Sequence, residues 1–272
     1  MEEFGMIKFA SLGILQGLTE FLPVSSSGHL VIAKGFMKIP EDMAFDVLLH
    51  FASAMAIGVY FRKDLWKIVR QMGTGLKSLA KGDGVRKAWD GGLMIPGLVV
   101  LASVPAGIVG VGFKSRIEAL FGAPKIVAAA LLLTGTVLFL SRRFSNGTEE
   151  MEKLTVKKAM LIGIAQAMAI MPGISRAGST IVAGMALGMK REEAARFSFL
   201  LALPAICGAI LLDLGDILKL SGSRVADYSV GFIASFLFSL AALATLFRIL
   251  GSDHFSSFAY YCWALGLAIL IV

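Results

Sequence analysis

Gln16-Gly-Leu-Thr-Glu20-Phe-Leu-Pro-Val-Ser25-Ser26-Ser27-Gly28-His29 is a polar stretch inside an otherwise apolar segment that runs from residue 6 to residue 37. It combines a proline and a glycine, which interrupt helices, with three consecutive serines, an acid and a histidine. A backbone broken in this way is tolerated at membrane depth only where it is buried in protein or lines a wet cavity. If the chain lies in a membrane, residues 6–37 should form a re-entrant helical hairpin.

The composition places the chain in a membrane. Of its 272 residues, 57% are hydrophobic and only 17% are charged, whereas soluble domains carry about a quarter charged residues. Crossing a hydrocarbon core takes about 20 apolar residues. Six segments approach or reach that length: 43–61, 92–113, 125–141, 191–212, 229–248 and 256–272. We therefore predict an all-α, polytopic membrane protein, with residues 1–272 forming a single membrane domain.

A second polar break interrupts the apolar segment 157–189. It reads Pro172-Gly-Ile-Ser175-Arg176-Ala-Gly178-Ser-Thr180 and again mixes helix-interrupting residues with hydroxyls and one charge. The same argument predicts a second re-entrant hairpin. The fold class is then six transmembrane helices plus two re-entrant hairpins.

The two halves of the chain resemble each other at an offset of 150 residues. Gly13 matches Gly163, Gln16 matches Gln166, Ser25 matches Ser175 and Gly28 matches Gly178. Three full spans separate equivalent points, and an odd number inverts one repeat relative to the other. We predict inverted repeats over about 5–141 and 155–272, whose broken helices share a site near the bilayer midplane.

The net charge of +7 is best explained by loops that orient the spans. Lys and Arg concentrate in residues 62–91 and 142–158, which the positive-inside rule places in the cytoplasm. The first hairpin then enters from outside, the second enters from the cytoplasm, and both chain ends lie outside.

The acidic start Met1-Glu2-Glu3 is not typical of a cleavable signal peptide. Nucleic-acid binding is not expected.

The first break carries several groups capable of chemistry. Gln16 and Glu20 share a helical face, and an ionisable group in an apolar helix is by default a functional hypothesis. The alternative is that Glu20 pairs with Arg176 only to hold the hairpins together. Ser25, Ser26 and Ser27 suit either an ordinary helix cap or an anion cradle. His29 suits either acid–base catalysis or simple hydrogen-bonded packing.

The second break adds Arg176, whose planar guanidinium suits a phosphate group. A serine nucleophile with a histidine base would give a covalent phosphoryl intermediate. Arg176 and helix N-termini would stabilise the charge on the transferred group. These residues alone do not distinguish hydrolysis of a phosphate ester from transport of one.

Both polar stretches resemble the two signatures of the bacterial undecaprenyl-diphosphate phosphatases, the bacitracin-resistance family. The segments Phe45-Asp-Val and Ala194-Ala-Arg-Phe-Ser also fall where that family has them. The resemblance implies hydrolysis of undecaprenyl diphosphate to undecaprenyl phosphate and inorganic phosphate, which recycles the lipid carrier for cell-wall synthesis. It also implies a multi-pass protein of the bacterial inner membrane, an active site open to the outer face, and a divalent cation, Mg²⁺ or Ca²⁺.

Residue roles follow from the same resemblance. Ser26 is the implied nucleophile, and the sequence also allows another serine or a water activated by Glu20 or His29. His29 and Glu20 are implied to be catalytic, and Arg176 is implied to bind phosphate. The implied substrate-binding residues are Ser25, Ser27, Ser175, Gly178 and Thr180. Glu20 and Gln16 are the implied cation ligands, although many members have an acid where this chain has Gln16. Ala177 stands where a serine is frequent.

Two other classes of function compete with the phosphatase. Inverted repeats are common in transporters, so a polyprenyl-phosphate transporter or flippase could use the same anion site. A structural membrane protein would leave Glu20, His29 and Arg176 at membrane depth without a purpose. The expected partners are a polyprenyl diphosphate and membrane lipid, and the sequence also allows a homodimer.

Overall fold

The computed structural model describes residues 2–39, 42–212, 225–252 and 254–271. This part of the chain consists of helices and connecting loops, with no β-sheet, which confirms the all-α prediction. In chain order the helices are α1 (Glu2–Phe21), α2 (Ser26–Met37), α3 (Met43–Tyr60), α4 (Arg62–Ala80), α5 (Val85–Ala88), α6 (Met94–Gly112), α7 (Lys114–Phe121), α8 (Pro124–Leu140), α9 (Val156–Met168), α10 (Arg176–Ala186), α11 (Arg191–Leu212), α12 (Val225–Leu250) and α13 (Phe258–Ile271).

Each predicted span corresponds to a helix. Four helical segments are long and apolar enough to cross a membrane on their own: Val85–Gly112, Pro124–Phe144, Arg191–Leu211 and Val225–Leu250. Helix α3 meets the same standard together with α4, from which it is bent by 79°. The last apolar segment, Phe255–Ile271, is shorter than the others. The chain is therefore a multi-pass helical membrane protein.

Helix α4 corrects the prediction that residues 62–91 form a loop. Its side chains Trp66, Val69 and Leu76 are all more than half exposed and fall at helical spacing. Basic residues such as Lys63 and Arg70 flank this apolar stripe. An amphipathic, basic helix of this kind is suited to the membrane interface, and the sharp angle to α3 would allow that position. The concentration of charge obscured the helical period in the sequence.

Both polar breaks interrupt helices where the sequence placed them. The first separates α1 from α2 at residues 22–25, and the second separates α9 from α10 at residues 169–175. Helix α1 begins at Glu2, ahead of the predicted start of the hairpin at residue 6, and α10 ends at Ala186.

Close helix contacts occur at equivalent glycines of the two halves. A Cβ atom added to Gly13 in α1 would lie 2.2 Å from the carbonyl oxygen of Gly231 in α12. A Cβ added to Gly163 in α9 would lie 2.2 Å from that of Ala102 in α6. Small residues allow such backbone approach between membrane helices. The two contacts lie at positions that the offset of 150 residues relates, and the inverted repeats stay a prediction.

Ion pairs connect the basic segments 62–91 and 142–158 with each other and with α11 at one end of the bundle. Lys67 Nζ lies 3.8 Å from a carboxylate oxygen of Glu152, and an Arg196 nitrogen lies 2.6 Å from a carboxylate oxygen of Asp64. At the same end, Lys190 donates a hydrogen bond that lowers the pKa of Glu150. The positive-inside rule needs both basic segments on one side, and the structure meets that condition.

Replacing the paired glycines tests the close packing. We expect Gly13→Ala and Gly163→Ala each to destabilise the protein by about 1–3 kcal/mol, because the added methyl group overpacks a backbone contact. Gly58 and Gly208 are also equivalent under the offset, and a Cβ there would meet nothing within 4 Å. Their alanine variants should unfold in detergent at or slightly above the temperature of the unsubstituted protein, because alanine is the better helix former. Equal thermal shifts in all four variants would contradict this packing.

Cysteine labelling tests the orientation. With Cys207 and Cys262 replaced by serine, Lys81→Cys should react with a membrane-impermeant maleimide only after the cells are permeabilised. Lys81 follows α4 and Glu118 lies on α7, at the other end of the span α6. Glu118→Cys should therefore react in intact cells. The reverse pattern would overturn the topology.

Candidate active site

The two polar breaks lie against each other. A Cβ added to Gly28 would lie 3.2 Å from Cα of Gly173, and one added to Gly178 would lie 3.3 Å from Cβ of Pro23. The offset of 150 pairs Gly28 with Gly178 and Pro23 with Gly173, so the two contacts are equivalent. The N-termini of α2 and α10 consequently meet within the bundle.

A serine caps each of these helices. Ser25 Oγ accepts a hydrogen bond from Gly28 N at 3.3 Å, and Ser175 Oγ accepts one from Gly178 N at 3.0 Å. Ser25 adopts φ 68°, a left-handed conformation that is strained for a residue with a side chain. The capping interpretation of Ser25 is therefore confirmed. It also turns the residue that follows, Ser26, toward the second break.

Thr134 of α8 braces the second break. Its hydroxyl donates to the carbonyl oxygen of Gly173 at 2.9 Å and accepts from the main-chain N–H of Ser175 at 3.0 Å. Thr134 is buried, so both main-chain groups find a partner away from water. Sequence reasoning missed Thr134 because a single threonine in an apolar span has no distinguishing pattern.

Glu20 is the centre of the site. Its Oε2 atom accepts from Ser26 Oγ at 2.5 Å and from Gln16 Nε2 at 3.0 Å. Its Oε1 atom accepts from Arg176 Nη2 at 2.5 Å. The Glu20 side chain is 7% exposed. The carboxylate thus joins the first break to the second, and it lies in position to take a proton from Ser26.

Arg176 uses only part of its guanidinium to hold Glu20. Its Nη1 atom is buried and has no hydrogen-bond partner among the described residues. A buried donor without a partner costs free energy, and a guanidinium with an available N–H group is suited to a phosphate oxygen. Arg176 therefore pairs with Glu20, as the sequence allows, and also has an N–H group that can bind an anion.

A cavity of about 330 Å³ opens beside these residues. Glu20, Ser26 and Arg176 form part of its wall, together with Ser25, Ser27 and Ser175. Most of the remaining wall is apolar and comes from α2, α3 and α11, among others. The cavity thus combines a small polar region with hydrocarbon surface, as a lipid with a charged head group requires.

Three residues named from the sequence lie outside the cavity wall. Gln16 lies behind Glu20 and is fully buried. Gly178 is held by the cap of Ser175. Thr180 is also fully buried, and its hydroxyl bonds to Ser198 Oγ at 2.5 Å, which ties α10 to α11. Gly178 and Thr180 therefore support the site from behind in this arrangement, rather than contacting a ligand, whereas Gln16 adjoins the site through its hydrogen bond to Glu20.

His29 also lies away from the cavity wall. Its Nδ1 atom is 2.8 Å from the main-chain oxygen of Ser25, and its Nε2 atom is 2.7 Å from the hydroxyl of Tyr261. The His29 and Tyr261 rings are stacked, with centroids 5.6 Å apart. Both ring nitrogens are therefore engaged, whereas Ser26, Glu20 and Arg176 line the cavity.

Three cavity residues were not anticipated from the sequence. Lys34 of α2 is buried, and its ammonium lies 2.5 Å from a carboxylate oxygen of Asp46 in α3. His50, one turn beyond Asp46, has its Nε2 atom 3.7 Å from Glu20 Oε2. A signal was available, because Lys34 interrupts an apolar arm, and Asp46 and His50 interrupt an apolar span at a spacing of four.

The site offers a partial ligand set for a divalent cation. No group of three or more His, Cys, Asp or Glu residues that could hold a metal occurs in the described part of the chain. Glu20 supplies one carboxylate, and the buried Oε1 atom of Gln16 has no hydrogen-bond partner there. Mg²⁺ is commonly bound by one or two carboxylates together with substrate phosphates. These donors fit that mode.

Comparison with known proteins gives a consistent result. Residues 9–268 match the family described as bacitracin resistance protein BacA. The chain is 43% identical over 259 residues to the undecaprenyl-diphosphatase of Desulfosudis oleivorans, with 94% of each chain covered. It is 38% identical over 273 residues to the undecaprenyl-diphosphatase of Methanobrevibacter smithii, with 98% of this chain and 97% of the relative covered.

Removing the brace at Thr134 should loosen the second break. We expect Thr134→Val to destabilise the protein by about 1–3 kcal/mol, since two buried main-chain groups lose their partner. Thr136→Val is the matched control, because Thr136 is exposed and its hydroxyl donates within its own helix. The Trp263 N–H that this hydroxyl also accepts keeps a second acceptor, the carbonyl oxygen of Leu132. Thermal unfolding in detergent compares the two. Equal unfolding midpoints for the two variants would contradict the role of Thr134 in bracing the second break.

Proposed function

The chain belongs to the bacitracin resistance protein BacA family, and on that basis we propose that it removes the terminal phosphate from undecaprenyl diphosphate. The products are undecaprenyl phosphate and inorganic phosphate, and the regenerated lipid carrier serves cell-wall synthesis. The observation that carries the proposal for the site is the convergence of Ser26, Glu20 and Arg176 on one cavity.

Ser26 is the proposed nucleophile. The 2.5 Å hydrogen bond to Glu20 Oε2 gives its hydroxyl proton an acceptor. As Oγ attacks the terminal phosphorus, that proton passes to Glu20. The bond from phosphorus to the bridging oxygen breaks, and undecaprenyl phosphate leaves with the electron pair. A covalent intermediate divides a difficult displacement into two easier steps.

Charge on the transferred phosphoryl group needs fixed donors. Nη1 of Arg176 supplies one while Nη2 stays on Glu20. The N-termini of α2 and α10 also border the cavity, and helix N-termini carry partial positive charge with main-chain N–H groups that favour anions. Preorganised donors of this kind stabilise the transition state without reorganising during the reaction.

Mg²⁺ or Ca²⁺ is the proposed cofactor. Glu20 and Gln16 Oε1 would hold it together with oxygens of the diphosphate. A bound divalent cation neutralises charge on the diphosphate and so makes its terminal phosphate easier to transfer. Gln16 contributes no charge, so the oxygens of the substrate would contribute much of the binding energy of the cation.

The transporter alternative has less support. A carrier needs an anion site but no activated hydroxyl, whereas Ser26 is hydrogen-bonded to a buried carboxylate. The names of the compared relatives also describe hydrolysis. The prenyl chain of the lipid would lie on the apolar wall that α11 contributes to the cavity.

We place the protein in the inner membrane, with the cavity facing its outer side. The first hairpin enters the bundle from the end opposite the basic segments, which supports this orientation. A homodimer remains a prediction from the sequence.

Phosphate release by purified protein tests the proposal. In detergent with Mg²⁺ or Ca²⁺, the protein should release phosphate from a prenyl diphosphate, and chelator should reduce the rate. Ser26→Ala and Arg176→Ala should each lower the rate by about 100-fold or more, because they remove the nucleophile and the charge-stabilising donor.

Ser27→Ala provides the matched control. Ser27 is adjacent to Ser26, but its hydroxyl lies 3.3 Å from Ser25 Oγ, and no hydrogen bond to Glu20 is present. We expect at most a several-fold loss. Phosphate release by Ser26→Ala at the unsubstituted rate would exclude Ser26 as the nucleophile. No phosphate release by the unsubstituted protein would favour the transporter alternative.

A further inference from the structure

His50 presents its Nε2 atom to the cavity. Its Nδ1 atom is 2.8 Å from the main-chain oxygen of Asp46, and a carbonyl oxygen can only accept, so Nδ1 is the donor. In the neutral ring, Nε2 then carries a lone pair. Nε2 lies 3.7 Å from Glu20 Oε2, and the side chain is 32% exposed, on the cavity wall.

The proposed reaction needs a second base, and this step rests on the proposed function. Once Glu20 has taken the proton of Ser26, it is a neutral acid whose proton faces the phosphorylated oxygen. It is then suited to return that proton when Ser26 leaves phosphorus. It cannot also accept a proton from the attacking water, so another group must do so.

Other bases near the cavity are already engaged. His29 has both ring nitrogens in hydrogen bonds, to Ser25 and to Tyr261, and is not part of the cavity wall. Asp46 accepts a hydrogen bond from Lys34 at 2.5 Å. His50 is therefore the group on the cavity wall with a suitable lone pair and a position close to the reacting serine.

We propose that His50 is a further catalytic residue, the base that activates water to release the phosphoryl group from Ser26. The water oxygen bonds to phosphorus as one of its protons passes to His50 Nε2. The bond from phosphorus to Ser26 Oγ breaks, and Oγ recovers the proton held by Glu20. Phosphate leaves, and His50 gives its proton to water in the cavity.

A prenyl diphosphate labelled with ³²P at the terminal phosphate separates the two half-reactions. Samples quenched over time yield the prenyl phosphate, the free phosphate and the label bound to protein. In His50→Gln, the first turnover of prenyl phosphate should stay within a few-fold of normal. Free phosphate should appear about 100-fold or more slowly, and label should accumulate on Ser26, because the general base is absent.

Two other histidine variants complete the comparison, since the chain has three histidines. His254→Gln, on an exposed residue outside the cavity wall, should behave as the unsubstituted protein. His29→Gln should not accumulate protein-bound label. Label accumulating in His29→Gln instead of His50→Gln would overturn the assignment.

Imidazole rescue covers the case in which His50→Gln folds poorly. In His50→Ala, added imidazole should restore free phosphate release without changing the first turnover of prenyl phosphate. If His50→Gln or His50→Ala slows both products equally with no bound label, His50 is not this base, although the diphosphatase function stands. No product from the unsubstituted protein would instead reject the proposed function itself.

Discussion

The ion pair between Glu20 and Arg176 is the interaction on which the rest of the structure depends. A charge at membrane depth is costly unless it is paired, and each of these residues lies in a polar break that cannot face lipid. The carboxylate also accepts hydrogen bonds from Ser26 and Gln16, so two further polar groups of the first hairpin converge on it. The two hairpins are thus stable at this depth chiefly as partners.

Packing around the pair follows from the same constraint. In a membrane, lipid tails are as apolar as leucine, so helix association depends on close backbone approach and on interhelical hydrogen bonds. Gly13 and Gly163 provide that approach at equivalent points, and Thr134 ties a span to the second break. These contacts hold the cavity wall fixed, which a preorganised anion site requires.

Much of this arrangement could be predicted from sequence. Helix breaks at Pro23 and Pro172 and the apolar spans depend on local chemistry, so both were located. Glu20, Ser26 and Arg176 were identified because polar residues in apolar arms are conspicuous. The pairing of His29 with Tyr261, 232 residues away, depends on how α2 packs against α13, which no local pattern encodes.

The residues that were missed have a common cause. His50 and Thr134 lie in spans whose apolar neighbours determine the prediction, and their importance appears only when other helices are placed beside them. The sequence predicts a loop in place of helix α4, because its many basic residues indicate the orientation of the spans and hide the helical pattern. Thr180 is a different case, since its hydroxyl lies in a signature motif and also bonds to Ser198, which ties α10 to α11.

Glu20 and Arg176 are 156 residues apart in the chain, which has a consequence for biogenesis. A ribosome adding about 5–20 residues per second needs roughly 8 to 30 s to pass from one to the other. Throughout that interval the first hairpin has its carboxylate but not its counter-ion. It therefore cannot settle at its final depth while the chain is half made. The ion pair that joins the two hairpins can therefore form only after Arg176 has been synthesised, late in the membrane insertion of the chain.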